Sequence, residues 1–232
     1  MMRRVLLLVL GLLLAYVLVA YLVLPWAWHA RAHRHPDLSA SPRITQTPEG
    51  ISGDPLNIAL VGSSDDIVQA MTAAGWHPAD PITFHTSLRI VERTLLKKPD
   101  DTAPVSNLFL FGRKQDLAFE QPVGRSPRQR HHVRFWRADS IDQESLLWLG
   151  AATYDTSVGV SHRTGQVTHH IAGDLDTERE KCSADLMRTG WAEETYYVER
   201  FQDRLEGRNG GGDAWHTDGR MVVVVLAMPP PR

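Results

Sequence analysis

The stretch "MVVVVLAM", Met221–Met228, consists of apolar residues only. A strand with one solvated face alternates apolar and polar residues, and this stretch shows no such alternation. It therefore predicts a central strand of a sheet that is covered on both faces. The segments that precede it along the chain must supply its neighbours and its cover.

Those segments predict about three helices and seven strands. "LNIALVG", Leu56–Gly62, reads as a strand that ends in a glycine turn, and "SSDDIVQAMTAAGW" after it reads as a capped helix. Three consecutive strands between Arg130 and Ala172 favour antiparallel pairing. We therefore predict an α+β fold, a single domain with a mostly antiparallel mixed sheet. The other predicted helices cover residues 86–98 and 174–190, and further strands cover residues 106–113 and 195–201.

The N-terminal segment Val5–Leu24 contains twenty residues and no charge. A helix of this length spans roughly 30 Å, the thickness of the hydrocarbon layer of a bilayer. Arg3 and Arg4 would also suit a cleaved signal peptide, but the apolar block exceeds the usual core of about 7–15 residues. We predict a short tail over residues 1–4 and an uncleaved transmembrane anchor over residues 5–28.

The segment after the anchor is rich in proline, serine, threonine and histidine and has no apolar period. Such a composition buries too little surface to offset its ordering entropy. It predicts a linker over residues 29–51, followed by one globular domain over residues 52–232. Basic residues are nearly balanced on the two sides of the anchor, so the short cytoplasmic tail decides the predicted orientation. The globular domain is then expected in the periplasm.

Several stretches together resemble the LssY C-terminal domain family. They include "GDPLNIALVGS", "APVSNLFLFGRKQDLAFEQPVGRSPRQRHHVRFWRA", "WLGAATYDTSVGVSHRTGQVTHHI" and "GRNGGGDAWHTDG". The resemblance extends from about Ser52 to Ala227. It implies a bacterial inner-membrane protein of uncharacterised biochemistry, since longer members carry this domain after segments similar to DedA-type proteins and lipid phosphatases. This chain has one apolar span and no phosphatase signature, so phosphatase activity is not carried over.

Two histidine pairs, His131–His132 and His169–His170, lie in predicted strands. Because side chains alternate between the faces of a strand, one histidine of each pair falls on an apolar face and one on a polar face. His132 shares its face with Arg134, and His132 and His170 would converge if their strands were neighbours. Imidazoles bind zinc-like ions and titrate near neutrality. The alternative is a set of structural sheet histidines. The candidate catalytic residues are His132, His170, Asp155 and Asp174, and the candidate metal ligands are His132, His170 and His162.

The glycine-rich stretch "GRNGGGDAWHTDG", residues 207–219, is a candidate ligand-binding loop. Its glycines permit close backbone approach to a ligand, and Asp213, His216 and Asp218 add polar groups. A phosphate-binding loop normally leads into a helix, whereas this one leads into a strand. A long hairpin connection is therefore the competing interpretation.

A basic stretch before the first histidine pair carries Arg128, Arg130 and Arg134. Arginines in this arrangement bind phosphates or lipid headgroups through paired hydrogen bonds. The alternative is a solvated basic turn. The net charge of −2 gives no general field for nucleic acid, so no nucleic-acid partner is expected.

Two functional hypotheses follow from the sequence. The first is a membrane-anchored envelope protein with a binding or accessory role, whose partner is an anionic lipid or an envelope protein. The second is a hydrolase that uses histidine and aspartate, with or without a metal, on an envelope phosphoester or lipid. A structural subunit of a membrane complex is a third. The sequence identifies no cofactor and does not decide whether the protein is an enzyme.

Overall fold

The computed structural model describes residues 2–79, 107–124, 129–138, 146–163, 165 and 167–227. The chain divides into two units, Met1–Asp37 and Leu38–Arg232. The helices are α1 (Met2–Leu18), α2 (Leu24–Arg34), α3 (Ser64–Ala73) and α4 (Leu175–Arg188). The strands are β1 (Ile44–Gln46), β2 (Ser52–Pro55), β3 (Ile58–Val61), β4 (His77–Pro78), β5 (Phe109–Leu110), β6 (Arg113–Lys114), β7 (Leu117–Pro122), β8 (Arg130–Arg137), β9 (Leu147–Val160), β10 (Val167–Ile171), β11 (Ala192–Val198), β12 (Glu206–Arg208), β13 (Ala214–His216) and β14 (Met221–Leu226).

The N-terminal unit is helical, with a π-helical turn at Val19–Val23 between α1 and α2. Its residues Met2–Ala27 form one helix that is long and apolar enough to cross a membrane. Length and composition are the basis of this assignment, and they agree with the apolar span predicted from the sequence.

The globular unit begins within the segment predicted as a linker over residues 29–51. Leu38 is buried in an apolar cluster with Leu56 and Phe201, and β1 lies in the same segment. The guanidinium of Arg43 donates to the Leu38 carbonyl and stacks over the ring of Phe201 at 4.3 Å. The packed domain therefore starts at Leu38 rather than at residue 52.

The main sheet has eight strands, in the order β11-β14-β3-β9-β8-β7-β4, with β10 paired to β9. Only β14 and β3 pair in parallel among the described strands, and the other ladders are antiparallel. All six residues of β14 are buried. This confirms the predicted α+β class, and for Met221–Leu226 it confirms that the apolar stretch is covered on both faces. Met228 lies outside the described residues.

Each face of the sheet carries its own apolar cluster. Helices α3 and α4 cover one face through residues such as Met71 and Leu186. The other face packs Trp136 and Leu149 against Leu110 of a smaller sheet, which has the strand order β2-β1-β5-β6. The clusters together bury the centre of the main sheet and leave a polar region towards the start of β8.

Local signals account for most of the predicted elements. Ser63 and Asp66 form a capping box at the start of α3, and Asp174 caps α4. The predicted strand over residues 106–113 is instead the hairpin β5–β6, because the chain turns at Phe111 and Gly112 with positive φ. The predicted helix over residues 86–98 lies outside the described residues.

Candidate functional site

A polar cavity of about 270 Å³ lies at the end of the main sheet, next to the smaller sheet and the β12–β13 hairpin. Strands β2, β8, β9 and β10 each contribute lining residues, and the hairpin contributes backbone from Gly210 and Gly211. The glycines bring main chain close to the cavity without side chains. Its charged and amide-bearing lining includes Asp54, Arg134, Asp155, His169 and Asn209.

Arg134 and Asp54 form a buried ion pair at the cavity wall, with 3.4 Å between Nη1 and Oδ2. The other carboxylate oxygen of Asp54 accepts a hydrogen bond of 3.2 Å from the side chain of Asn209. Burial raises the pKa of Asp54, while the Arg134 charge opposes that rise. Burial likewise lowers the pKa of Arg134. The charged pair is thus maintained by mutual attraction against a desolvation penalty.

Arg130 lies in a second buried ion-pair group on the same face of β8, four residues before Arg134. Its Nε donates to Asp155 at 2.9 Å and its Nη1 donates to Glu120 at 2.7 Å. Its Nη2 lies 3.2 Å from Nε2 of His169. Because β7, β8 and β9 are adjacent strands, the sheet register brings these side chains together.

The predicted basic surface is therefore placed differently in the structure. Arg130 and Arg134 are buried and paired with carboxylates, which matches neither an exposed headgroup clamp nor a solvated turn. Arg128 lies outside the described residues. Nothing in the described part of the basic stretch presents these two guanidinium groups to a membrane surface.

The first histidine pair is divided between the faces of β8, as strand alternation predicts. His131 faces the helices, where its Nδ1 lies 2.8 Å from Oε2 of Glu178 on α4. Its ring also lies 5.0 Å from that of Tyr154. His131 therefore links the sheet to a helix, on the face that it shares with Val133 and Phe135.

His132 is fully buried on the opposite face, the one that carries Arg130 and Arg134. Neither of its nitrogens has a hydrogen-bond partner among the residues that the structure describes. Burial, followed by the charges of Arg134 and Arg130, holds the pKa of His132 well below its ordinary value. The imidazole is therefore neutral. It does not line the cavity.

His170 pairs with Asp213, whereas the sequence suggests His132 as a partner if their strands are neighbours. Nδ1 of His170 lies 2.7 Å from Oδ1 of Asp213, and the His162 ring lies 5.5 Å from the His170 ring. The second oxygen of Asp213 accepts a 3.2 Å hydrogen bond from the amide of Ile171. Two candidate metal ligands from the sequence, His162 and His170, therefore lie beside Asp213, a candidate from the glycine-rich stretch.

His169 is the histidine of the second pair that faces Arg130 and lines the cavity. The sequence places it on an apolar face with Ile171, and both residues do line the cavity, but the groups opposite them include the polar Arg130 and Asp155. Burial lowers the pKa of His169, and the charge of Asp155 opposes that shift. The sequence did not single out His169 because its neighbours on the strand are apolar. It did not identify Asp54 and Asn209 because no local motif marks them.

The remaining candidates have structural contacts outside the cavity. Asp174 is exposed and accepts hydrogen bonds at the N-terminus of α4. His216 is exposed on β13, and its backbone forms an isolated parallel β-bridge with that of Asp174. Asp218 binds Arg179 through both oxygens, at 2.7 and 3.0 Å, and those hydrogen bonds hold its pKa far below the ordinary value. None of the three predicted residues lines the cavity.

The family model described as LssY C-terminus matches residues 38–221. No curated protein and no solved structure matches the chain. The match begins at the residue where the packed domain begins and includes every residue of the cavity lining.

Proposed function

We propose that this chain, which belongs to the LssY C-terminus family, is a single-pass membrane protein whose domain binds a small ligand rich in hydrogen-bond donors. The observation that carries the proposal is the buried Arg134–Asp54 pair at the wall of the polar cavity. Replacing a buried ion pair with apolar residues is often neutral or stabilising by about 1–4 kcal/mol. Because the buried ion pair adds little to the stability of the fold, we infer that it is retained to bind a polar ligand.

The charge of the cavity favours a donor-rich ligand over an anion. Glu49, Asp54 and Asp155 contribute three carboxylates to the lining, against two guanidinium groups, Arg134 in the lining and Arg130 bound to Asp155. Carboxylates accept hydrogen bonds from hydroxyl and ammonium groups and repel phosphate. This argument favours a sugar-like or amine-bearing ligand over the anionic headgroup considered from the sequence.

The size of the cavity supports a compact ligand. Its volume of about 270 Å³ is slightly below the roughly 300–1,000 Å³ of pockets for drug-sized molecules. Thr168 and Ser161 add hydroxyl groups that orient a polar ligand. We therefore assign the cavity to one sugar-sized group.

The membrane anchor gives the proposal its cellular context. A span at Met2–Ala27 would hold the protein in the bacterial inner membrane, and the predicted orientation would place the domain in the periplasm. The ligand is then an envelope component within reach of a tethered domain. Anchoring raises the local concentration of the domain near the bilayer and leaves the cavity chemistry unchanged.

Calorimetric titration of the full-length protein in detergent tests the binding proposal. We expect heat of binding with glucosamine or galactosamine and none with glucose 6-phosphate, the matched anionic sugar. Thr168→Phe fills the cavity and should weaken binding at least about tenfold, the loss of roughly 1.4 kcal/mol. Thr195→Phe is the matched control, since Thr195 is also a half-buried strand threonine but lies on β11. Preference for the phosphate, or binding that survives Thr168→Phe, contradicts the proposal.

Hydrolysis of an envelope phosphoester or lipid is the second candidate function. It is favoured by the 2.7 Å His170–Asp213 contact, because a carboxylate that orients an imidazole is a common general-base arrangement. Thr168 and Gly211 lie two residues before His170 and Asp213 in the sequence, and both line the cavity. Turnover of bis-p-nitrophenyl phosphate or p-nitrophenyl acetate that is lost in His170→Gln would support it. Equal turnover in that variant would exclude His170 as the base.

A further inference from the structure

The geometry points to a divalent transition-metal site formed by His162, His170 and Asp213. One donor atom from each side chain lies within 4.8 Å of the other two. Two imidazoles and one carboxylate bind zinc and related ions, each donor at about 2.0–2.2 Å from the metal. Two such donors are at most about 4.4 Å apart, so small side-chain rotations are enough to complete the site.

Asp213 is held in position by its backbone. Its amide donates to Oδ1 of Asn209 at 2.9 Å, and its carbonyl accepts from the Asn209 amide at 3.0 Å. Its Oδ2 accepts from the Ile171 amide, which leaves Oδ1 directed at His170. In metal sites, hydrogen bonds of this kind, from residues that do not themselves bind the metal, orient the carboxylate ligand.

Both histidines are placed by close contacts with glycines. The His162 amide donates to the Gly211 carbonyl at 3.0 Å, which ties the β9–β10 loop to the β12–β13 hairpin. The His170 ring lies against Gly159, where a Cβ atom would come within 2.5 Å of Nε2. A side chain at position 159 would therefore displace the ring from its present orientation.

The third donor distinguishes a metal site from a simple ion pair. A His170–Asp213 pair needs no further group, yet His162 brings a second imidazole to the same place from a separate loop. Three protein ligands leave a coordination position free for water, as in catalytic zinc sites. His162 is exposed, so solvent reaches this side of the cluster.

Metal binding at this cluster replaces a hydrogen bond between two of the ligands. In the structure, His170 Nδ1 and Asp213 Oδ1 share a hydrogen bond, which a metal bound to both atoms replaces. The imidazole then carries its ring proton on Nε2 and binds the ion in its neutral form. This proposal concerns metal binding alone and does not depend on a ligand in the cavity.

Zinc calorimetry on the chelator-treated full-length protein in detergent tests the site. The juxtamembrane residues His29, His33 and His35 are a second source of imidazole, so all three are first changed to glutamine. In that background we expect one zinc ion per chain. His162→Gln and Asp213→Asn should each weaken binding by more than about 100-fold, the upper range for loss of outer-shell partners.

Two further variants separate the site from nonspecific effects. His77→Gln, a change at an exposed histidine on β4, should leave zinc affinity unchanged. Gly159→Ala keeps every ligand but displaces the His170 ring, and should weaken binding by at least about tenfold. Cobalt absorption spectra report the same loss independently of heat. The proposal is overturned if zinc fails to bind while tryptophan fluorescence shows a folded protein, or if the ligand variants bind as tightly as the background.

Discussion

The two faces of strands β8 and β9 are both buried, but along residues 130–135 of β8 they are built from different residues. The helix-facing side contributes Val133, Phe135 and Ala152 to an apolar cluster. The cavity-facing side places Arg130, His132, Arg134, Thr153 and Asp155 in equally complete burial. Apolar burial gains roughly 25 cal/mol per Å², whereas buried charges must first recover a desolvation cost. We infer that the apolar face stabilises the fold and that the polar face is retained for binding.

The largest expected effect comes from breaking the ion pair on the polar face. Arg134→Met leaves Asp54 buried without its cation and should lower the free energy of unfolding by about 3–5 kcal/mol. Adding Asp54→Asn should restore much of that loss, because the amide can still accept from Asn209. Urea unfolding followed by tryptophan fluorescence measures both variants.

An ion pair whose arginine is exposed provides the control for this comparison. Arg188 is 71% exposed and pairs at 2.6 Å with the buried Asp185. Lys181 and Trp76 also bind Asp185, so Arg188→Met leaves that carboxylate with other partners and should cost less than about 1 kcal/mol. If the Arg134 and Asp54 double variant is no more stable than Arg134→Met alone, the polar face contributes to stability in its own right. The contrast between the two faces would then be lost.

The next largest effect is a cavity on the apolar face. Val133→Ala removes two fully buried methyl groups, at about 0.8 kcal/mol each plus the cost of the space left behind. We expect a total loss of about 2 kcal/mol in the same urea assay. Ligand or zinc affinity should be unchanged, because Val133 packs in the helix-facing cluster and does not line the cavity. A parallel loss of affinity would show that the two faces are coupled.

The two faces also differed in how far the sequence predicted them. Alternation along "HHVRFW" correctly separates His131 from His132, because residue period fixes the face of a strand. It does not fix which strands lie beside each other across the fold. The contact between Asp54 and Arg134 joins positions 80 residues apart, and no local pattern signals it.

The metal cluster shows the same limit. His170 was a candidate, but its partner could not be read from spacing, since Asp213 lies 43 residues later on another hairpin. His169 was assigned to an apolar face because its neighbours at alternate positions in the sequence are apolar, and the sequence does not show that Arg130 lies beside it in the folded sheet. Residue type thus identified candidates, and tertiary pairing decided which of them meet.

Acid should affect the polar face selectively. The pKa of His132 and that of His169 are both lowered by burial, so the unfolded chain binds protons that the folded protein does not. Their contribution to stability is therefore complete above about pH 6.5 and is lost as the pH falls through and below that value. Each histidine contributes a slope of at most about 1.4 kcal/mol per pH unit.

Comparison of wild type with His132→Leu between pH 7 and pH 5 isolates one of these contributions. The raised pKa of Asp54 acts in the opposite direction, since its protonation favours the folded state, but it is common to both proteins. We expect a shallower loss of stability in the variant. Identical slopes would mean that His132 is protonated in the folded domain, against its neutral assignment.

The smallest expected effect is that of His132→Leu at pH 8, where both proteins have a neutral residue at this position. Neither nitrogen of His132 is hydrogen-bonded within the described part of the chain, so the substitution removes no such bond there. Removing a buried polar group that lacks partners is neutral or stabilising, and leucine is close to histidine in size. The free energy of unfolding should therefore change by less than about 1 kcal/mol or increase. A large loss would show that this imidazole stabilises the Arg130 and Arg134 layer, and the polar face would then need His132 for its folding.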